Sequence, residues 1–194
     1  PLAGPVMAAA VVFPPGLVHP EITDSKLLSP KKREALVPWI KKNSLNWGIG
    51  SAEPEEIDRI NILQASLLAM ARALHPMESK PDYLLVDGVH KIPMSYLMNV
   101  VIDNSNGRIE AALLPYTNKN VPYQKTVKHG DRLCHSIAAA SILAKVARDS
   151  LMAEYDSRYP EYGFAAHKGY GSASHLRAIR DHGPSPIHRR SFRT

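Results

Sequence analysis

Asp87 and Asp131 are the residues of this chain best suited to do chemistry. Asp87 closes the apolar run Tyr83-Leu84-Leu85-Val86-Asp87-Gly88, and Asp131 follows Lys125-Thr126-Val127-Lys128-His129-Gly130. One carboxylate thus ends a buried strand, and the other opens a helix of small residues amid lysines. Hard divalent cations take oxygen ligands and phosphates attract lysines, so the pattern suits a metal held beside a polyanion. The chemistry implied is that of phosphodiesters. Each aspartate also has a plainer reading: an Asp before Gly can be a turn former, and an Asp opening a helix can be an N-cap worth roughly 1 kcal/mol. A capping carboxylate can still bind metal, so both readings stay open.

Around this pair, Lys26, Lys125 and Lys128 are the phosphate-binding candidates, with Thr23 and Ser25 as neutral donors. Taken singly, each lysine reads as a surface side chain. Their expected place in loops near the carboxylates strengthens the binding reading. Tyr170 stands between glycines in Ala166-His167-Lys168-Gly169-Tyr170-Gly171-Ser172, where a ring could stack on a sugar or base, or pin the tail to the core. Ile187 and Phe192 read as docking side chains, while Arg189 and Arg190 fit either docking or phosphate contact. Asp149 would stand roughly 27 Å from Asp131 on a continuous helix, at 1.5 Å per residue, so it reads as structural unless the helix is broken. No nucleophile triad, Gly-rich P-loop or zinc-spaced histidine pair is present.

The elements that must position these groups alternate between strand and helix, which indicates an α/β fold. Pro5 to Phe13 reads as a strand stopped by Pro14-Pro15-Gly16. Ser29-Pro30 opens a helix to about Lys42, bent by Pro38. Leu45 to Ser51 reads as a strand, and Ile60, Leu63, Leu67, Ala71 and Leu74 mark the buried stripe of a helix. Residues 82–87 form an apolar strand of the kind buried on both faces in a mainly parallel sheet. Leu97–Asp103 and Arg108–Leu114 flank Asn106-Gly107 as a hairpin. Ser136 to Met152 reads as a closely packed helix, and residues 156–194 as a basic tail on a core of residues 1–155.

Composition narrows the function classes. The 194 residues carry a net charge of +6, and residues 165–194 hold six Lys or Arg against Asp181 alone. Residues 119–149 hold six against two acids, so the remainder is slightly acidic. Such asymmetry suits an anionic partner, nucleic acid first, or else a solvated basic tail. Cys134 is the single cysteine, which excludes an internal disulfide and a multi-cysteine zinc site and fits a reducing cytosol. It reads as a helix-packed thiol. No apolar run reaches the roughly 18 residues of a membrane span, and no basic segment precedes Val6 as in a secretory signal. A cytoplasmic monomer is the expectation.

Several ordered stretches resemble the ribonuclease HII family. They are Pro1-Leu2-Ala3-Gly4-Pro5-Val6, Asp24-Ser25-Lys26, residues 55–62, Val86-Asp87-Gly88 and Lys128 with Gly130-Asp131. Ser136 to Val146, Gly169-Tyr170-Gly171 and Ile187-His188-Arg189 continue the match. The resemblance implies an RNase H-like fold, a mixed central sheet flanked by helices, with a helical, basic C-terminal extension. It implies an endonuclease that cuts RNA in RNA–DNA hybrids and ribonucleotides within duplex DNA. The products carry 5′-phosphate and 3′-hydroxyl ends, and two Mn²⁺ or Mg²⁺ ions take part. Asp87 and Asp131 match the third and fourth of four catalytic, metal-binding carboxylates, and Tyr170 the tyrosine that meets the sugar at the junction.

Two departures accompany the match. The family's first strand, which carries the other two carboxylates and a glycine-arginine-glycine contact to the 2′-hydroxyl, has no counterpart in the residues present. The stretch between Asp87 and Asp131 is also long, with residues 97–114 as the insert. The alternative reading is therefore a nucleic-acid-binding remnant without catalysis. A chain beginning at Pro1 is expected to be unstable and to bind metal poorly.

Overall fold

The structure, a computed structural model, describes residues 1–98, 116 and 120–192. Prolines and polar caps set the element ends. Strand β1, Val6–Val12, runs into Pro14-Pro15, and helix α1, Pro30–Asn43, starts where Ser29 accepts the Lys32 N–H. Strand β2, Asn46–Ala52, returns antiparallel to β1, with Val6 opposite Ala52 and Val12 opposite Asn46. Helix α2, Pro54–Ala73, opens with a capping box between Glu53 and Glu56 and lies across both strands. Gly50 permits that closeness, since a Cβ there would sit 2.4 Å from the Ala69 carbonyl oxygen.

The α2 stripe departs from the expected one. Asn61 takes φ 69° and ψ 164° within the helix, which turns the residues that follow. Leu67, Ala71 and Leu74 are buried as the pattern requires, but Leu63 is 42% exposed and Ile60 only half-buried. A single straight 3.6-residue period could not anticipate the break.

Strand β3, Tyr83–Asp87, pairs in parallel with β4, Tyr123–Val127, from Tyr83–Tyr123 to Asp87–Val127. Leu84 and Val86 enter the core, but Tyr83 and Leu85 are 50% and 43% exposed, so burial on both faces is corrected to burial on one. The β4 strand escaped the sequence reading because its inward residue is polar. Gln124 is buried, and its amide satisfies both the N–H and the carbonyl of Ile92, at 2.8 and 2.9 Å.

Among the described residues the strands form two separate pairs, antiparallel β1–β2 and parallel β3–β4, so the pairing is mixed as expected. The edges of β1 and β3 line a common cleft of about 520 Å³ instead of bonding to each other. The described residues supply no strand between them.

After β3, Met94–Leu97 forms the short helix α3, with Leu97 fully buried. Leu97 therefore does not begin a hairpin strand, and the rest of the expected hairpin, Asn106-Gly107 included, lies outside the described residues. Gly130–Leu133 forms α4, and the extended Cys134 separates it from α5, His135–Arg158. Cys134 is thus half-buried in a link and not inside a helix. The tail continues through a 3-10 turn at Pro160–Tyr162, α6 at Phe164–His167 and α7 at Ala173–His182. Phe164 and Ile187 pack with Ala3 and Met152, and Phe192 packs on the core around Ile57, so both docking side chains dock.

Candidate active site

Asp87 ends β3 where the parallel ladder closes, and Gly88 still donates to the Val127 carbonyl at 3.0 Å. The chain then crosses from β4 into α4 through His129, which takes a left-handed φ of 56°. That turn presents the Gly130 N–H to Asp87 Oδ1 at 2.8 Å. This bond ties Asp87 to the turn whose next residue is Asp131. Gly130 is required here: a Cβ would sit 2.6 Å from Ile137 Cδ1 and 3.1 Å from Asp87 Oδ1.

Asp131 is buried in the first turn of α4, and Lys26 Nζ approaches its Oδ2 at 3.6 Å. It is not the N-cap; His129 holds that position. Lys26 itself is exposed, on a loop held by residues the sequence reading undervalued. Asp24 is 1% exposed and accepts the Lys26 N–H at 3.0 Å and Arg132 Nε at 3.1 Å. The Lys26 N–H, against burial and with Arg132 assisting, holds the Asp24 carboxyl below the usual carboxylate range. Asp24 therefore ties the loop of Lys26 to the helix of Asp131. Ser25, expected to donate to substrate, is buried and bonds Ser141 Oγ at 2.8 Å. Thr23 is half-buried on the same loop.

The cleft between β1 and β3 gathers Lys26, Asp87 and Tyr170, joined by Lys145 and Arg148 from α5. Lys125 and Lys128 are not on its wall. Lys125 lies on β4 opposite Leu85, in a strand and not a loop, and Lys128 is exposed just past it. Lys125 shares the open face of the β3–β4 pair with Leu85, two residues before Asp87.

Tyr170 is held through its backbone and remains exposed. Its side is 52% exposed, yet its N–H donates to the His167 carbonyl and its own carbonyl accepts the Ser172 N–H, at 2.9 and 2.8 Å. The Arg148 guanidinium lies 5.8 Å from its ring. Gly169, at φ 79°, lets the loop approach Ala3, whose carbonyl a Cβ would meet at 2.6 Å.

Arg148 was missed because it sits in a run of small residues that reads only as packing. It is buried and donates to the Ala3, Pro5 and Lys168 carbonyls. Arg189, left open by the sequence, turns inward to the Gly4 and Pro5 carbonyls. Burial, then the nearby Arg148, pulls Arg189 down to about 10, which leaves it charged at neutral pH. Arg190 stays exposed while its N–H donates to Asp58 at 2.8 Å. Asp149 pairs with Lys145 at 2.8 Å and Arg33 at 3.5 Å, consistent with a structural role despite the break at Cys134.

Among the described residues no group of three or more His, Cys, Asp or Glu side chains converges as a metal cage. Asp87 and Asp131 are hard oxygen donors, a set that fits one divalent ion completed by phosphate and water. They do not by themselves fit a second.

The family model described as ribonuclease HII matches residues 1–194. A ribonuclease HII from Syntrophotalea carbinolica is 51% identical over 193 residues, covering 100% of this chain and 80% of the relative. One from Geobacter sulfurreducens is also 51% identical over 193 residues, covering 100% of this chain and 77% of the relative. The crystal structure of ribonuclease H2 from Pyrococcus horikoshii OT3 superposes with a TM-score of 0.71 at 22% identity. That match covers 99% of this chain and 88% of the other, which establishes a shared fold.

Proposed function

The chain belongs to the ribonuclease HII family, and from that premise we propose that it is an endonuclease acting on RNA–DNA hybrids and on ribonucleotides embedded in duplex DNA. The proposed products carry 5′-phosphate and 3′-hydroxyl ends, and the proposed cofactor is Mn²⁺ or Mg²⁺. The observation that supports this reading is the Asp87–Gly130 bond, which ties Asp87, on the wall of a cleft shared with Lys26 and Tyr170, to the turn that carries Asp131.

In this reading Asp87 and Asp131 hold the ion. When bound, it supplies charge neutralisation at a phosphate and a more acidic water. Lys26, whose ammonium lies 3.6 Å from Asp131 Oδ2, steers the scissile phosphate. Lys125 and Lys128 meet phosphates further along the duplex, and Tyr170 packs against the sugar at the RNA–DNA junction. The two-ion arrangement that the family resemblance implies requires carboxylates beyond these two. Residues 1–155 then form the catalytic core and residues 156–194 the extension that presents Tyr170. No helix among the described residues is long and apolar enough to cross a membrane, and we read the protein as a cytoplasmic monomer.

A second reading, a duplex-binding protein without catalysis, is favoured by the count of two carboxylates at the site among the described residues. One experiment separates them. A duplex with a single ribonucleotide is incubated with and without Mn²⁺, using this chain and a form extended ahead of Pro1 by the family's first strand. Mn²⁺-dependent cutting by either form supports the nuclease. Salt-sensitive binding with no cutting by either supports the binding protein.

A further inference from the structure

Three histidines of the tail connect to the backbone of Tyr170, His188 through His175. His175 and His188 are 0% and 5% exposed, and their Nε2 atoms lie 3.0 Å apart. The Ser185 N–H can only donate, and it points at His188 Nδ1 at 2.8 Å. His188 Nδ1 is therefore the acceptor, so in a neutral ring the proton sits on Nε2. That proton is donated to His175 Nε2, which must then be bare. The His175 proton is left on Nδ1, 2.9 Å from the Tyr170 carbonyl oxygen. The network admits one tautomer at each ring.

The third ring supports the same loop. His167 Nδ1 accepts the Gly169 N–H at 3.2 Å, so its Nε2 donates to the Tyr162 carbonyl at 2.8 Å. It stacks on His175 with centroids 4.3 Å apart. A second proton on His175 or His188 would set two N–H groups against each other in a site walled by Phe164 and Tyr162. Burial, then the nearby His175, pushes His188 down to about 4, and burial, assisted by His167 and opposed by the Tyr170 carbonyl, lowers His175, in accord with the single-tautomer pattern.

We propose that His175 and His188 are positioning residues for substrate recognition: their single-tautomer relay holds the Tyr170 carbonyl, and thereby aims the exposed Tyr170 ring at the ribose of an RNA–DNA junction. The relay runs from Ser185 through both rings to the loop, and Ser172 Oγ, which caps α7 at the His175 N–H, fixes the helix that carries His175. This inference rests on the proposed role of Tyr170.

The test uses ¹⁵N-histidine NMR on the 194-residue chain at pH 7, with binding of a duplex carrying one ribonucleotide and of its all-DNA counterpart. The expected spectra show His188 protonated at Nε2 alone and His175 at Nδ1 alone. His175→Asn keeps an N–H near the Nδ1 position and should keep the ribonucleotide preference, whereas His175→Leu should lose it severalfold. In a Tyr170→Ala background, His175→Leu should cause no further loss, a non-additivity that a merely structural role would not produce. His175→Leu can also unfold the chain, in which case the tautomers and the Asn variant decide. A parent His175 protonated at Nε2 overturns the relay, as does loss of preference in folded His175→Asn. If Tyr170→Ala removes the preference but His175→Leu keeps it, only the relay falls. If Tyr170→Ala changes nothing, or the parent shows no preference, the role of Tyr170 falls and the relay's purpose with it.

Discussion

Asp87 Oδ1 accepts the Gly130 N–H at 2.8 Å, across 43 positions of sequence. This bond joins the end of β3 to the turn that delivers Asp131, so the separation of the two carboxylates is set by backbone geometry. An amide at position 87 keeps the acceptor oxygen but loses the charge. In the extended protein, Asp87→Asn should melt like the parent and lose Mn²⁺-dependent cleavage. A near-parental rate would remove Asp87 from the site.

Gly130→Ala tests the same junction from the other side. The new methyl would press on Ile137 and the Asp87 carboxylate, and overpacking of this kind costs typically about 1–3 kcal/mol. A lowered melting temperature together with reduced cleavage is the expected outcome. Unchanged values for both would show that the turn relaxes freely.

If Lys26, Lys125 and Lys128 meet phosphates as proposed, binding should weaken steeply with salt through counterion release. Removing Lys26 should reduce the slope of log K against log salt by about one phosphate's share. Tyr170→Ala should cost on the order of 1–3 kcal/mol at RNA–DNA junctions, by analogy with base stacking, and little on plain DNA. Titrations at several salt concentrations measure both. Equal losses on every duplex would make Tyr170 only an anchor of the tail.

Acid should destabilise the tail through His188. Its folded value is about 4 against an ordinary 6.5, so between these values the unfolded chain binds a proton that the folded chain refuses. Stability contributed by the neutral ring is therefore full above about pH 6.5 and declines as pH falls toward 4. The loss approaches about 3 kcal/mol over that window, and His175, shifted the same way, adds to it. His188→Gln should flatten this part of the profile in thermal melts from pH 7 to 4. An unchanged slope would assign the acid sensitivity elsewhere.

The cleft between β1 and β3 bears on stability as well as chemistry. Each buried backbone group left without a partner costs roughly 1–3 kcal/mol, against a domain total of about 5–15 kcal/mol. A form carrying the family's first strand ahead of Pro1 should melt higher and cleave faster with Mn²⁺ than the 194 residues alone. Full activity in the chain beginning at Pro1 would show that other groups complete the metal site.

Local forces made much of the architecture legible in the sequence. Ser29-Pro30 marks the start of α1 because a hydroxyl cap and a proline act within one turn, and Pro14-Pro15 stops β1 for the same reason. Asp87 could be placed at a strand end from its neighbours alone, and the ordered motifs sufficed to name the family. Other features arise only where distant segments meet. Asp24 reads as a loop residue until Arg132, 108 positions away, closes on it. Gln124 hides β4 because its burial depends on Ile92, and Asn61 breaks a period that the leucines alone suggest. The tautomers of His175 and His188 depend on Ser185 and on the Tyr170 carbonyl, none of which periodicity can align. Hydrophobic pattern reports which face a residue prefers, but a buried polar group is specified by its partner. Partners brought together by folding are set by the tertiary structure alone.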